Sequence, residues 1–260
     1  MSSLHHVLLL GGSGKVAQLL TPLLLQRSWN VTSIIHDPAR VASLEKLGQG
    51  QKGNLNVLVR SLEEVTNEAQ AKSIIDEVKP DYVVWSAGAA GKGGPERTFK
   101  IDRDAAIHFI RASAATASIT KFVMISYLGS RLKKAPWWSE EVWQDCLKTN
   151  NGVLKTYYQA KIAADQVFYE EGKKRKDFAA INLRPGILTS EPAGKVKLGK
   201  LPVSGTASRA SVAQLTALLL DAPNVKSGWL DLIDGDEDPE VVVKKCVEEG
   251  VDAAEGEPFY

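Results

Sequence analysis

The sequence predicts an α/β fold: a doubly wound parallel sheet with helices on both faces. Three observations predict it. Short apolar, β-branched runs alternate along the 260 residues with longer segments of helical periodicity, the pattern of repeated βα units. Several of these runs are apolar throughout rather than at every second position, as expected of strands buried on both faces. The first run, Val7-Leu-Leu-Leu10, ends at Gly11, Gly12 and Gly14, and an apolar-rich segment follows. A buried strand therefore turns sharply into a helix.

In chain order, the apolar runs predict strands at 6–10, 31–35, 56–59, 82–85, 122–125, 179–183 and 229–232. The intervening periodic segments predict helices at 15–26, 38–47, 67–78, 98–116, 153–171, 209–220 and 239–248. The second helix carries its own start signal: Asp37 suits the N-cap and Pro38 the first helical position. Two stretches break the rhythm: 130–151, rich in Trp, Lys and Glu, and 190–208, rich in Gly, Pro, Ser and Lys. Both follow predicted strands, and loops after strand C-termini line the ligand crevice of an open α/β sheet. The expected organisation is a single domain over 1–260, with these two stretches as substrate-side loops.

Composition narrows the class. Apolar residues make up 44% and charged residues 24%, ordinary for a globular protein, and the net charge of +1 gives no basic field for nucleic acid. The two cysteines, Cys146 and Cys246, are far apart and offer no metal spacing, so no metal site is expected. The N-terminal residues have no basic region and only a short apolar run, so neither a signal peptide nor a membrane partner is expected. The expected location is cytoplasmic.

Gly12-x-Gly14-x-x-Ala17 satisfies the dinucleotide fingerprint, and Gly11-x-x-Gly14-x-x-Ala17 fits a second register. Helix N-termini of this kind take phosphate through free backbone N–H groups and the helix dipole. A nucleoside-triphosphate loop fits less well, because Val16 stands where its metal-binding Ser or Thr would be, and Leu9 where its first Gly would be. At the end of the second strand, His36 and Arg40 supply positive charge that favours NADP, while Asp37 leaves NAD open.

Tyr157 and Lys161 are four residues apart on one helical face. A lysine ammonium near a phenol lowers its pKa, and such a tyrosine can exchange a proton with a carbonyl or alcohol oxygen. Ser126, at a strand C-terminus, is expected to hydrogen-bond the same oxygen. Tyr158 is a competing phenol.

Taken together, the sequence resembles the short-chain dehydrogenase/reductase superfamily, and more closely its atypical NmrA-like and epimerase-like members. The marks are Gly11-Gly-Ser-Gly14-Lys-Val-Ala17, Ser86-Ala-Gly88-Ala, Ile101-Asp102-Arg-Asp, Phe122-Val-Met-Ile-Ser126, Tyr157-Tyr-Gln-Ala-Lys161-Ile-Ala-Ala-Asp, Leu183-Arg-Pro-Gly-Ile-Leu-Thr189 and Ser208-Arg-Ala-Ser-Val-Ala213. They span nearly the whole chain in order. Arg60-Ser61-Leu62 departs from the pattern, since relatives often have Asp and an aliphatic residue there.

The resemblance implies a Rossmann-type domain with a small C-terminal substrate-binding region. It implies pyrophosphate contacts from Gly11, Gly12, Ser13, Gly14, Lys15 and Val16. His36 falls where relatives often carry an NADP-selecting arginine. Ala87 and Gly88 would lie near the adenosine-side ribose, Lys161 on the nicotinamide ribose, and Pro185, Gly186, Ile187 and Leu188 along the nicotinamide end. The expected activity is hydride transfer between NADP, or NAD, and a carbonyl or alcohol. Tyr157 would be the acid/base, Lys161 would tune it, and Ser126 would orient the substrate. The alternative is a regulatory protein that senses NADP without turnover.

On the substrate side, Trp137, Trp138 and Trp143 read either as an aromatic lid for an apolar or ring-containing small molecule or as anchors of a long loop. The lysines at 195, 197 and 200 read as a solvated surface or as an attractor for an anionic substrate.

Overall fold

The structure is a computed structural model and describes residues 5–202 and 204–260. The described elements are β1 (His6–Leu10), α1 (Lys15–Gln26), β2 (Asn30–Ile35), α2 (Val41–Glu45), β3 (Leu55–Val59), α3 (Glu68–Val78), β4 (Tyr82–Trp85), α4 (Gly94–Thr98), α5 (Ala106–Ala114), β5 (Lys121–Ile125), α6 (Glu140–Asn151), α7 (Lys155–Lys174), β6 (Ala179–Pro185), β7 (Ile187–Thr189), β8 (Val196–Gly199), β9 (Thr206–Ser208), α8 (Arg209–Asp221), β10 (Gly228–Asp234) and α9 (Pro239–Glu249).

Eight strands form one sheet in the order β3-β2-β1-β4-β5-β6-β10-β8, parallel except for β8, which runs antiparallel to β10 at the edge. The chain winds outward from β1 to β3, then returns to place β4 on the other side of β1. That reversal is the topological switch point, where an open α/β sheet leaves a crevice beyond the strand C-termini. The pleat of β1 explains the two layers. Val7 and Leu9 pack with Leu20 and Leu24 of α1, Val212 of α8 and Val242 of α9. Leu8 and Leu10 pack with Ile75 of α3, Phe109 of α5 and Phe168 of α7. Each fully buried Leu contributes ~2 kcal/mol from apolar area removed from water.

Three expected elements differ in detail. The helix expected at 38–47 is a 3₁₀ turn (Pro38–Arg40), α2 and a second 3₁₀ turn (Lys46–Gly48). Asp37 caps it, accepting from the Ala39 N–H at 3.0 Å. The helix expected at 98–116 begins earlier, at α4, and widens into a π-helical stretch over Phe99–Ala105 before α5. The stretch 130–151 is not all loop: Ser139 caps α6, accepting from the Val142 N–H at 3.2 Å. Among the described residues, no helix is long and apolar enough to cross a membrane.

Buried charges tie the second half together. Arg184 of β6 reaches Asp231 of β10 at 2.8 Å and donates to the carbonyls of Ser130 (2.8 Å) and Leu128 (2.6 Å). Its guanidinium lies 3.9 Å from the centre of the Trp229 ring. Arg131 pairs with Glu257 at 3.1 Å and donates to the carbonyls of Ala253 and Glu255. The segment leading from β5 to α6 is thereby held by the strands beneath it and by the C-terminal residues.

At the opposite end of the sheet, His6 bonds Thr32 at 2.8 Å. Burial lowers the His6 pKa below its ordinary value, against a smaller opposing effect of Asp81. The unfolded chain therefore binds this proton more readily than the folded one. The His6 contribution is present above the unfolded pKa of about 6.5 and is lost as pH falls below it. Unfolding free energy measured by urea titration is expected to fall from pH 7 to pH 5, with a shallower fall in His6→Gln.

Candidate active site

Three adjoining cavities follow the C-terminal edge of the sheet. The first, about 410 Å³, lies between the glycine turn, residues 36–40 after β2, residues 60–63 after β3 and residues 86–90 after β4. The second, about 930 Å³, runs from Ser13, Gly14, Lys15 and Val16 to Ser126, Tyr157 and Lys161. The third, about 610 Å³, is mostly apolar and is walled by Tyr127, Leu128, Val142, Leu154 and Pro185 to Leu188. The first two share Gly14, Arg40, Ala87 and Gly88, and the last two share Ser126, Tyr157, Leu188 and Arg209.

The turn is built from its glycines. The N–H groups of Gly11 and Gly12 both donate to the Ile34 carbonyl of β2, and Gly14 N–H donates to the Gly11 carbonyl at 2.9 Å. Gly11 has φ +85°, and a Cβ there would lie 2.5 Å from Ala87 Cα. Gly14 is the N-cap of α1, no side chain caps the helix, and its first turn holds no acidic residue. The first-turn N–H groups at Lys15 and Val16 are thus left for an anion at the wall of the second cavity. This arrangement fits a pyrophosphate. Gly12 is held differently from its neighbours. It lines none of the three cavities and instead packs on β2, where a Cβ would come within 1.6 Å of Ser33 Oγ. Its smallness serves strand packing.

His36 and Arg40 both line the first cavity. Arg40 is exposed and donates to the Ser13 carbonyl at 3.3 Å. Three further cations line this cavity: Arg97, paired with Glu63 at 2.7 Å, Arg60, paired with Glu77 at 3.4 Å, and Lys92. Asp37 is occupied by its cap. Arg40 pairs with no carboxylate among the described residues.

Asp102, in the π-helical stretch, accepts from the Ala89 N–H at 2.8 Å and so fixes the loop carrying Gly88. Burial raises the Asp102 pKa, partly offset by Lys161 and Arg97. Tyr157, Lys161 and Asp165 follow one another at four-residue spacing on α7. Lys161 is 1% exposed and donates to the Ile125 carbonyl at 3.0 Å. Tyr157 lines the second and third cavities, its ring 5.1 Å from that of Tyr127. Tyr158 lines none of them and donates to the Arg131 carbonyl at 2.8 Å, so of the two phenols it is Tyr157 that packing places at the cavities.

Two expectations about this cluster are corrected. The Tyr157 pKa is raised, not lowered: burial dominates, and the carboxylates of Asp102 and Asp165 add to it. Ser126 is also not free to donate to a substrate, because its hydroxyl donates to Asp165 at 2.6 Å. Asp165 and Tyr127 are participants that sequence reasoning missed. Asp165 stands in the quoted Tyr157–Asp165 motif, but its partner lies 39 residues away on another strand end.

The tryptophans are anchors. Trp137 and Trp138 both donate to the Leu201 carbonyl, Trp143 packs on Trp138, and none lines a cavity. The 130–151 stretch reaches the third cavity through Val142, Cys146 and Asn150 of α6. Burial pushes the Cys146 thiol up to about 11, which keeps it protonated at neutral pH. Within 190–208, Lys197 faces Asp236 and Lys200 faces Glu255 on the surface, while Ser204 lines the third cavity.

Residues 11–223 match a family described as NAD(P)H-binding. A UPF0659 protein of Schizosaccharomyces pombe is 34% identical over 218 residues, covering 82% of this chain and 83% of that protein. A Bacillus subtilis protein named as an uncharacterized sugar epimerase, YhfK, is 31% identical over 232 residues, covering 88% of this chain and 94% of that protein. A solved structure from Bacillus halodurans, provisionally described as an NAD-dependent epimerase/dehydratase, superposes with a TM-score of 0.72 at 24% identity, covering 93% of this chain and 99% of that one. This last likeness speaks to the fold.

Proposed function

We propose, because this chain belongs to the NAD(P)H-binding family, that it is a nicotinamide-dinucleotide-dependent oxidoreductase acting on a carbonyl/alcohol pair. The observation that carries this reading is the convergence of the uncapped α1 N-terminus, Lys161 and Tyr157 on one cavity. The first-turn N–H groups of α1 would take the pyrophosphate, and Lys161 would hold the nicotinamide-side ribose. Once bound, the dinucleotide supplies or accepts a hydride. The chain supplies the proton. Burial and two nearby carboxylates keep the Tyr157 phenol neutral, so it is set to donate to a carbonyl oxygen at neutral pH. The largely apolar third cavity suits a small substrate with an apolar body.

NADP is the favoured dinucleotide, because Arg40 is a cation without a carboxylate partner in the first cavity. Arg40→Ala is expected to weaken NADPH binding by ~10-fold or more while leaving NADH nearly unchanged, as loss of a charge-assisted phosphate contact would. Separate fluorescence titrations of the two cofactors check it. Equal losses for both would remove the NADP assignment.

A second reading, dinucleotide sensing without turnover, is favoured by the Ser126–Asp165 bond, which commits the serine proton to a protein partner. Incubation of the chain with NADPH and a panel of aldehydes and ketones separates the two. Carbonyl-dependent NADPH oxidation supports the oxidoreductase. Tight NADPH binding with no oxidation across the panel supports the sensor.

A further inference from the structure

A hydroxyl has one proton to give and two lone pairs to receive with. Around the third cavity the chain spends those protons on itself. Ser126 donates to Asp165 Oδ2 at 2.6 Å, inside the protein. Tyr127 donates to Asn150 Oδ1 at 2.9 Å. Asn150 cannot turn to reverse this bond, since its Nδ2 donates to the Gly129 carbonyl at 2.8 Å and the side chain is 1% exposed. Asp165 is fully buried, and its other oxygen, Oδ1, has no hydrogen-bond partner. Both Ser126 and Tyr127 line the cavity, and neither has a second hydroxyl proton to offer it. Tyr157 shares that wall, and none of the hydrogen bonds among the described residues ends on its hydroxyl. Its proton is therefore available to the cavity.

From this pattern we infer that Ser126 and Tyr127 form a hydrogen-bond-accepting subsite beside Tyr157, selecting substrates that carry a hydroxyl next to the reacting carbonyl carbon. The inference rests on the carbonyl/alcohol reading above and names its substrate class. Tyr157 meets the carbonyl, which accepts. The neighbouring hydroxyl donates to Ser126 or Tyr127. A substituent that can only accept sets lone pair against lone pair there, and a buried polar pair left without a proton is costly. The Tyr127 and Tyr157 rings pack side by side, their centres 5.1 Å apart, on the wall they share. Asp165 and Asn150 touch no substrate in this scheme. They are positioning residues that set which way the hydroxyl protons point.

The test uses two probes of nearly equal shape, 2-hydroxycyclohexanone and 2-fluorocyclohexanone, with the full chain in the presence and absence of NADP. Binding is followed by ligand-observed NMR. The wild-type chain is expected to bind the hydroxyketone ~10-fold or more tightly than the fluoroketone, the discrimination of one buried hydrogen bond. Asp165→Asn replaces the carboxylate that holds the Ser126 proton by a weaker acceptor that can also donate, so the proton is released toward the cavity and the preference shrinks. Tyr127→Phe removes one acceptor and lowers the preference. Should Asp165→Asn fail to fold, Ser126→Ala must lower the preference by itself. Equal wild-type binding of the two probes, binding of neither, or a preference untouched by all of these changes overturns the subsite. Intact discrimination with no NADPH oxidation leaves the subsite standing and removes the hydride-transfer reading.

Discussion

Tyr157→Phe is expected to lower carbonyl-dependent NADPH oxidation by ~10²–10⁴-fold, the span of a lost general acid, while NADPH affinity stays within about twofold of wild type. The change removes one hydroxyl and keeps the ring that packs on Tyr127. The phenol is kept neutral by burial and by Asp102 and Asp165, so its proton is the group in position to meet a developing alkoxide. The effect should fall on kcat more than on KM, because the proton matters most as negative charge develops. Tyr158→Phe is the matched control. That hydroxyl serves the Arg131 carbonyl, so its loss costs ~1 kcal/mol of stability and little turnover. A Tyr157→Phe enzyme as active as wild type would sink the catalytic assignment.

Arg184→Met should cost ~3–5 kcal/mol of folding stability, because removing one member of a buried pair strands the other. Arg184 and Asp231 are both wholly buried, and Arg184 also serves the carbonyls of Ser130 and Leu128. The desolvated carboxyl of Asp231 already has a raised pKa, so losing its cation leaves it little choice but to take a proton or draw in water. In a chain of this size such a loss lowers Tm by roughly 10 °C. The companion change Arg184→Met with Asp231→Leu should recover much of the loss, since a buried ion pair is often replaceable by apolar packing. Thermal unfolding of both variants checks the prediction. A single variant as stable as wild type would mean that the segment from Leu128 to Ser130 is held by other contacts.

The two variants bear on different links between chain and function. In the proposed reaction Tyr157 acts on the reacting atoms. Arg184 acts on the backbone after β5 that carries Tyr127 and Leu128 into the third cavity, so its loss should also blur the discrimination between the hydroxyketone and fluoroketone probes.

The parallel sheet was legible because buried strands and amphipathic helices write their periodicity into contiguous residues. The glycine turn was legible for the same reason: strand, glycines and helix start lie within one short run. Tyr157 and Lys161 could be paired by spacing alone, since four residues make one helical turn. Gly12 could not be separated from its neighbours by pattern. Its missing Cβ makes room for Ser33 on the next strand, a contact that only strand packing reveals. The tryptophans read equally as lid or anchor until their common acceptor, the Leu201 carbonyl more than 60 residues onward, was located.

By itself, then, the sequence determined the α/β class, the dinucleotide turn and the helix bearing Tyr157, because each is a local pattern of side-chain size and polarity. The tertiary structure decided which groups are free. It gave the Ser126 proton to Asp165, aimed Tyr157 rather than Tyr158 at the cavities, and left Arg40 without a carboxylate partner. Those are questions of hydrogen-bond partnership and burial between residues distant in sequence, and a hydroxyl or an ammonium shows its remaining capacity only after the fold has chosen its partners.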